Sequence, residues 1–144
     1  MGMVLVPVGK IDPKVIQILK EDLHKVFGKK VWVGKGMPEP HDAFNNKRNQ
    51  YLSTTILNAL MNEKGYSSFD KILGIVDHDL YVPELNFVFG VARQRVAVIS
   101  LTRLRQEFYN FPQDQSLFYK RVLTEAVHEL GHTCGLAIVK IPDV

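Results

Sequence analysis

The chain has 144 residues, 46% of them hydrophobic and 23% charged, with a formal net charge of +3. This suits one soluble domain, expected over residues 1–144, with a real core. No apolar run approaches a bilayer span, and the basic residues are scattered beyond Lys29-Lys30, so neither a membrane nor a nucleic-acid partner is expected.

The start, Met1 to Val8, is apolar but lacks a basic head and a small-residue cleavage site, so it makes a poor signal peptide. The single cysteine, Cys134, excludes an internal disulfide and a cysteine-built zinc site within one chain. A lone thiol fits a reducing compartment, and a cytoplasmic location is expected.

Val4 to Val8 reads as a first strand, rich in β-branched residues. Asp12 then looks like an N-cap with Pro13 at the first helical position. Val15, Ile16, Leu19, Leu23, Val26 and Phe27 follow at helical spacing, and Gly28 ends the helix. Lys30 to Val33 reads as a second strand, and residues 34–46 as a loop. In that loop His41 and Asp42 read as a solvated pair, with metal ligation as the alternative. Gln50 to Asn62 is expected to be a helix burying Leu52, Ile56, Leu57 and Leu60 and closed by Gly65.

Lys71 to Val76 reads as a third strand buried on both faces. Asp77-His78-Asp79 follows. Successive residues of an extended chain point opposite ways, so a turn or structural role is favoured over a metal site. Leu80 to Leu85 reads as a loop. Asn86 to Ala92 and Arg95 to Ser100 read as two strands joined near Arg93-Gln94. Phe108, Tyr109 and Phe111 are expected to cover the core. Asp114 or Ser116 caps a last helix that runs to about Thr133 with Leu117, Tyr119, Val122, Leu123, Ala126 and Leu130 inward. Strands alternating with helices and then clustering argue an α/β fold, with helices packed on a sheet.

That last helix carries Val127-His128-Glu129-Leu130-Gly131-His132, an H-E-x-x-H pattern. Residues four apart share one helix face, so His128 and His132 can both turn a ring nitrogen to one Zn²⁺. Glu129 can reach a water on that metal and act as general base, and zinc lowers the pKa of such a water to about 7. The bland reading is a surface helix whose His, Glu and His fall at this spacing without a metal. Gly135 stands where the longer motif H-E-x-x-H-x-x-G-x-x-H has its glycine, but the third-ligand position holds Ile138.

Several segments together resemble one family, the archaemetzincins, zinc peptidases of metzincin type. Leu73-Gly74-Ile75-Val76-Asp77-His78-Asp79-Leu80-Tyr81-Val82-Pro83 is similar to the family segment L-G-[IV]-T-x-x-D-L-Y-x-P. Asn86-Phe87-Val88-Phe89-Gly90-Val91-Ala92 is similar to N-F-V-F-G-x-A, and Arg48-x-Gln50-Tyr51 to R-x-Q-Y. Val96 to Leu101 and Arg103-Leu104 also fit.

The resemblance implies a twisted mixed sheet with packed helices and an active-site helix. It implies a zinc metallopeptidase with one catalytic Zn²⁺, His128 and His132 as metal ligands and Glu129 as catalytic base. It also implies a substrate-binding rim at Asn86, Phe87, Val88 and Phe89 that takes a peptide or protein substrate by strand addition.

The family continues G-x-x-H-C-x-x-x-x-C-x-M, whereas this chain has Ile138, Val139 and Val144 at the third histidine and the first two cysteines. A truncated C-terminal subdomain and no second, structural zinc are therefore expected, and Asp143 is off the third-ligand spacing. A natural, truncated or misrecorded end each accounts for the departure. The alternative to the enzyme is a degenerate, non-catalytic peptide-binding homologue. Self-association through the apolar end, Ile138, Val139, Ile141 and Val144, is a further expectation.

Overall fold

The structure, a computed structural model, describes residues 2–133. Its centre is a five-stranded sheet built from β1 (Met3–Val8), β2 (Val31–Val33), β5 (Lys71–Val76), β7 (Gly90–Arg93) and β8 (Val96–Ser100), in the order β2-β1-β5-β8-β7. The first four neighbours run parallel, and β7 alone runs antiparallel, against β8. A smaller sheet joins β3 (Phe44–Asn45), β4 (Gln50–Leu52) and β6 (Leu80–Tyr81).

Three helices cover the large sheet: α1 (Pro13–Phe27), α2 (Ser53–Met61) and α3 (Gln115–Thr133). The strand period of two divides the apolar residues between the faces. Leu5, Leu73, Ile75, Ala97 and Ile99 face the α1 and α3 side, with Leu19, Leu23, Val122, Ala126 and Leu130. Val4, Val6, Val8, Ile72, Val76 and Val98 face α2, with Ile56, Leu57 and Leu60. Strands clad on both sides explain why Met3–Val8 and Lys71–Val76 are nearly continuous apolar runs.

The caps of α1 are as expected. The Asp12 side chain accepts from the Lys14 N–H at 3.0 Å, Pro13 opens the helix, and Gly28 closes it at φ 65°, a conformation that suits glycine. Val26, placed with the apolar positions, instead lies 50% exposed at the helix end.

Several expectations are corrected. Residues Gln50–Leu52 are strand, not helix, because their backbone pairs with β3 and β6. α2 starts only at Ser53, whose buried hydroxyl donates to the Tyr81 carbonyl. α2 also ends at Met61 with Asn62 as its cap, and Gly65 sits in a separate 3₁₀ turn over Lys64–Tyr66.

Leu80 and Tyr81 are strand, not loop, since β4 gives them a partner. Asn86–Phe89 is not strand: β7 begins at Gly90. The Asn86 carbonyl is taken by the Gln50 and Arg48 side chains, and Val88 makes only an isolated antiparallel bridge to Leu80, its N–H donating to the Leu80 carbonyl. Phe108, Tyr109 and Phe111 do not cover the core, being 42%, 42% and 59% exposed. They sit on and just after a short 3₁₀ turn, where the Arg103 guanidinium lies over Phe108.

Leu23 is fully buried between α1 and the sheet. Leu23→Ala is expected to lower stability by about 2–5 kcal/mol through lost burial and an unfilled cavity, read as a lower urea midpoint at unchanged m-value.

Candidate functional site

The site is carried by α3, so what fixes α3 fixes the site. Asp114 caps it: its carboxylate accepts from the Leu117 N–H at 3.0 Å and its carbonyl from the Phe118 N–H at 3.0 Å. Phe118, Val122, Ala126 and Leu130 are buried against the sheet. Near the last described residue, Lys71 Nζ at the start of β5 donates to the Thr133 carbonyl and ties α3 to the sheet.

With that face buried, His128, Glu129 and His132 share one adjoining face. The two Nε2 atoms lie 3.3 Å apart and the ring planes cross at 83°. Two nitrogens on one tetrahedral zinc, each at about 2.0–2.1 Å, are separated by roughly 3.3–3.4 Å. The separation of the two nitrogens therefore matches that ion. Ligand atoms of His128, Glu129 and His132 fall within 4.8 Å of one another, and they form the only such cluster among the described residues. Burial, aided by the charge of His132, holds His128 below its ordinary value, which favours the neutral ring that a metal needs.

Glu129 is only 5% exposed. Burial pushes its carboxyl up, and the hydrogen bond and charge of Glu125 push it further, to about 9. Glu125, one turn earlier, is also raised by burial, partly offset by its bond to Glu129. The polypeptide alone thus holds a proton between these carboxyls at neutral pH, and a cation beside them favours the ionised form. Glu125 did not emerge from the motif, though its place four residues before Glu129 was a legible signal. β7 passes close by: a Cβ on Gly90 would meet the Val98 carbonyl at 2.7 Å, Glu129 Cγ at 3.0 Å and Glu125 Oε1 at 3.1 Å.

Asn86 is exposed and Phe87, Val88 and Phe89 are half-buried on the approach to β7. Phe87 lies under the Arg103 guanidinium and packs edge-on against Phe89. Phe89 accepts from the Ser100 N–H through its carbonyl. Ile138 and its neighbours Cys134, Gly135, Val139, Ile141, Asp143 and Val144 lie outside the described residues.

The other candidates go elsewhere. His41 and Asp42 are exposed on a 3₁₀ turn. Asp77, His78 and Asp79 diverge to three partners: Asp77 to Arg105 with both oxygens, Asp79 to Arg103 likewise, and His78 to Glu39 at 2.7 Å with its ring on Tyr51. Burial raises the two aspartates, but hydrogen bonds and charge from Arg105 on Asp77, and from Arg103 and Gln50 on Asp79, outweigh it and leave both below the ordinary range. They border an open cavity of ≈ 550 Å³ with Phe44, Tyr51 and Phe108, whose lining includes no residue of α3.

Carboxyls held low stabilise the fold above their unfolded value of 3.8, and this contribution is lost as pH falls through the folded values. The urea midpoint is therefore expected to drop as pH falls below about 4. Asp79→Asn should lower it at pH 7 and flatten the acid limb. A variant with an unchanged acid limb would remove Asp79 from that account.

Residues 14–142 match Peptidase family M54. The chain is 38% identical over 138 residues to an archaemetzincin of Methanocaldococcus jannaschii, covering 94% of this chain and 74% of that one. It is 38% identical to an archaemetzincin of Pyrococcus abyssi, covering 94% and 77%. Its fold superposes on the crystal structure of an archaemetzincin from Archaeoglobus fulgidus, solved with malonate, at TM-score 0.80 and 33% identity, covering 94% of this chain and 79% of that one. For the Methanopyrus kandleri archaemetzincin the TM-score is 0.78 at 35% identity, covering 99% and 77%.

Proposed function

Because the chain belongs to peptidase family M54, the archaemetzincin zinc metallopeptidases, we propose that His128 and His132 hold one catalytic zinc and that Glu129 is the general base of peptide hydrolysis. The observation that carries this is the 3.3 Å separation of the two Nε2 atoms beside a buried carboxyl. A zinc held there supplies Lewis-acid activation of water and neutralises charge developing on the scissile carbonyl. Glu129 takes the proton of the attacking water on a carboxylate oxygen and delivers it to the leaving amine. The burial of Glu129 against β7 keeps that proton from bulk water.

The rim is proposed at Asn86–Phe89 and onward into β7. Among the described residues β7 pairs only with β8, so its outer edge offers main-chain donors and acceptors to an extended peptide. Recognition through main-chain bonds carries little sequence preference, which suits a peptide or protein substrate. The same reading takes residues 1–144 as one domain working in the cytoplasm without nucleic-acid or membrane partners, and able to self-associate through Ile138, Val139, Ile141 and Val144. No described helix is long and apolar enough to cross a membrane.

One observation favours a second reading, a peptide-binding domain without turnover: Ile138 stands at the third-ligand position of the motif.

Elemental analysis separates the two readings. The enzyme is expected to hold about one zinc per chain, and His128→Ala or His132→Ala to lose it. Glu129→Gln should keep the metal and lose turnover by roughly 10²–10⁴-fold. A zinc-free chain that still binds peptides would establish the second reading, and full activity in Glu129→Gln would remove Glu129 from the chemistry.

A further inference from the structure

Residues 85–89 lead into β7 without forming a strand, and Val88 makes a single isolated bridge to Leu80. Side chains from three distant places hold this segment instead. Gln50 of β4, only 6% exposed, donates to the Asn86 carbonyl at 2.8 Å and to the Asp79 carboxylate at 2.9 Å. Its own oxygen accepts from Arg48 Nε at 2.8 Å. Arg48 Nη2 donates to the carbonyls of Leu85 at 2.7 Å and Asn86 at 3.2 Å. Arg103 grips Asp79 with two bonds, at 2.7 and 2.8 Å, and its guanidinium lies 3.8 Å from the centre of the Phe87 ring.

Asp79 is the node of this clasp. From one carboxylate, Gln50 reaches the main chain of Asn86 and Arg103 reaches the ring of Phe87. Phe87 then packs edge-on against Phe89, with centroids 5.3 Å apart, and Gly90 follows as the first residue of β7. The contacts thus run from the end of β5 to the start of the exposed edge. A segment without a ladder samples many backbone states, and ordering it at the moment a guest arrives weakens binding. Order already present in the free protein removes that penalty. Paired bonds to a carboxylate and a plane lying over an aromatic ring are contacts that arginine makes and lysine does not.

We propose that Arg48, Gln50 and Arg103 are positioning residues for the substrate: they hold residues 85–87, and with them the start of β7, in the shape that an extended peptide binds. This rests on the reading of Asn86–Phe89 and β7 as the rim. The three side chains act through the segment and not on the zinc. A preformed rim favours the bound substrate and its transition state alike, so loss of the clasp raises KM and leaves kcat. A network that served only the stability of the fold would show no such split.

The test compares Gln50→Glu, Arg103→Lys and Arg48→Met with the unaltered chain. Gln50→Glu keeps the size and the acceptor for Arg48 but loses both donations. Arg103→Lys keeps the charge beside Asp79 but loses the paired bonds and the plane over Phe87. Arg48→Met keeps the stem and loses the donors. Leu23→Ala, on the far helix α1, serves as the control for lowered stability alone. Three quantities are read: kcat and KM on an unstructured peptide, the Kd of that peptide in a Glu129→Gln background by fluorescence anisotropy, and the exchange rate of the Val88 amide. Each clasp variant is expected to raise KM and Kd at least about fivefold with kcat within about twofold. The Val88 amide should exchange at least about tenfold faster while the amides of α1 stay within about threefold. Leu23→Ala should lower the urea midpoint and leave KM within about twofold.

Peptide binding by the unaltered chain that none of the three clasp variants weakens refutes the clasp and leaves the rim standing. So does a Leu23→Ala chain whose KM rises as much as theirs, or a loss of fold in all three, since either places the network in general stability. An unaltered chain that neither cleaves nor binds the peptide refutes the rim itself, and the clasp's role with it.

Discussion

The docking of α3 against the sheet is the constraint from which the rest follows. Val122, Ala126 and Leu130, spaced by one turn, press into the face formed by Ala97 and Ile99 of β8 and their neighbours. Once that face is buried, helix geometry leaves one direction for His128 and His132. It also brings Glu125 and Glu129 under β7, where only glycine allows the strand to pass. Among the described residues one helix supplies the donors of the site and one strand passes over them, and Asp114 caps the start of that helix. Sites built on regular elements hold their geometry more tightly than sites built on loops.

A second ordered layer stands at the carboxyl ends of the parallel strands. Asp77 and Asp79 follow β5 and meet Arg105 and Arg103 as two-pronged ion pairs. The same Arg103 lies over Phe87, and Gln50 links Asp79 to the Asn86 carbonyl. The segment leading into β7 is thereby tied to β5, although it forms no strand of its own. A run of acidic and histidine side chains that looks like a ligand set is instead a bracket that fixes the approach to β7.

Much of this was legible because the controlling signals are local. The capping of α1 by Asp12 and Gly28, the double-sided burial of Lys71–Val76 and the i, i+4 histidines depend on near neighbours in sequence. The misreadings have a common cause. Gln50–Leu52 and Leu80–Tyr81 are strands because each finds a partner across the fold, and Asn86–Phe89 stops at an isolated bridge from Val88 to Leu80 while distant side chains take the Asn86 carbonyl. Such choices are tertiary and leave little trace in periodicity. Glu125 was missed for a different reason: a motif directs attention to its fixed letters, and the residue one turn before them carries none.

The brevity of β7 sets a length scale. Its four residues, Gly90–Arg93, extend for roughly 13 Å at about 3.3 Å per residue, and beyond Arg93 the chain turns back through Gln94 at φ 56°. An edge this short gives another chain little on which to nucleate a fibril, and it grips a guest over only three or four residues. On the proposed reading, tightly folded proteins are spared for lack of a free segment to offer, while frayed ends and unfolded chains are exposed to hydrolysis.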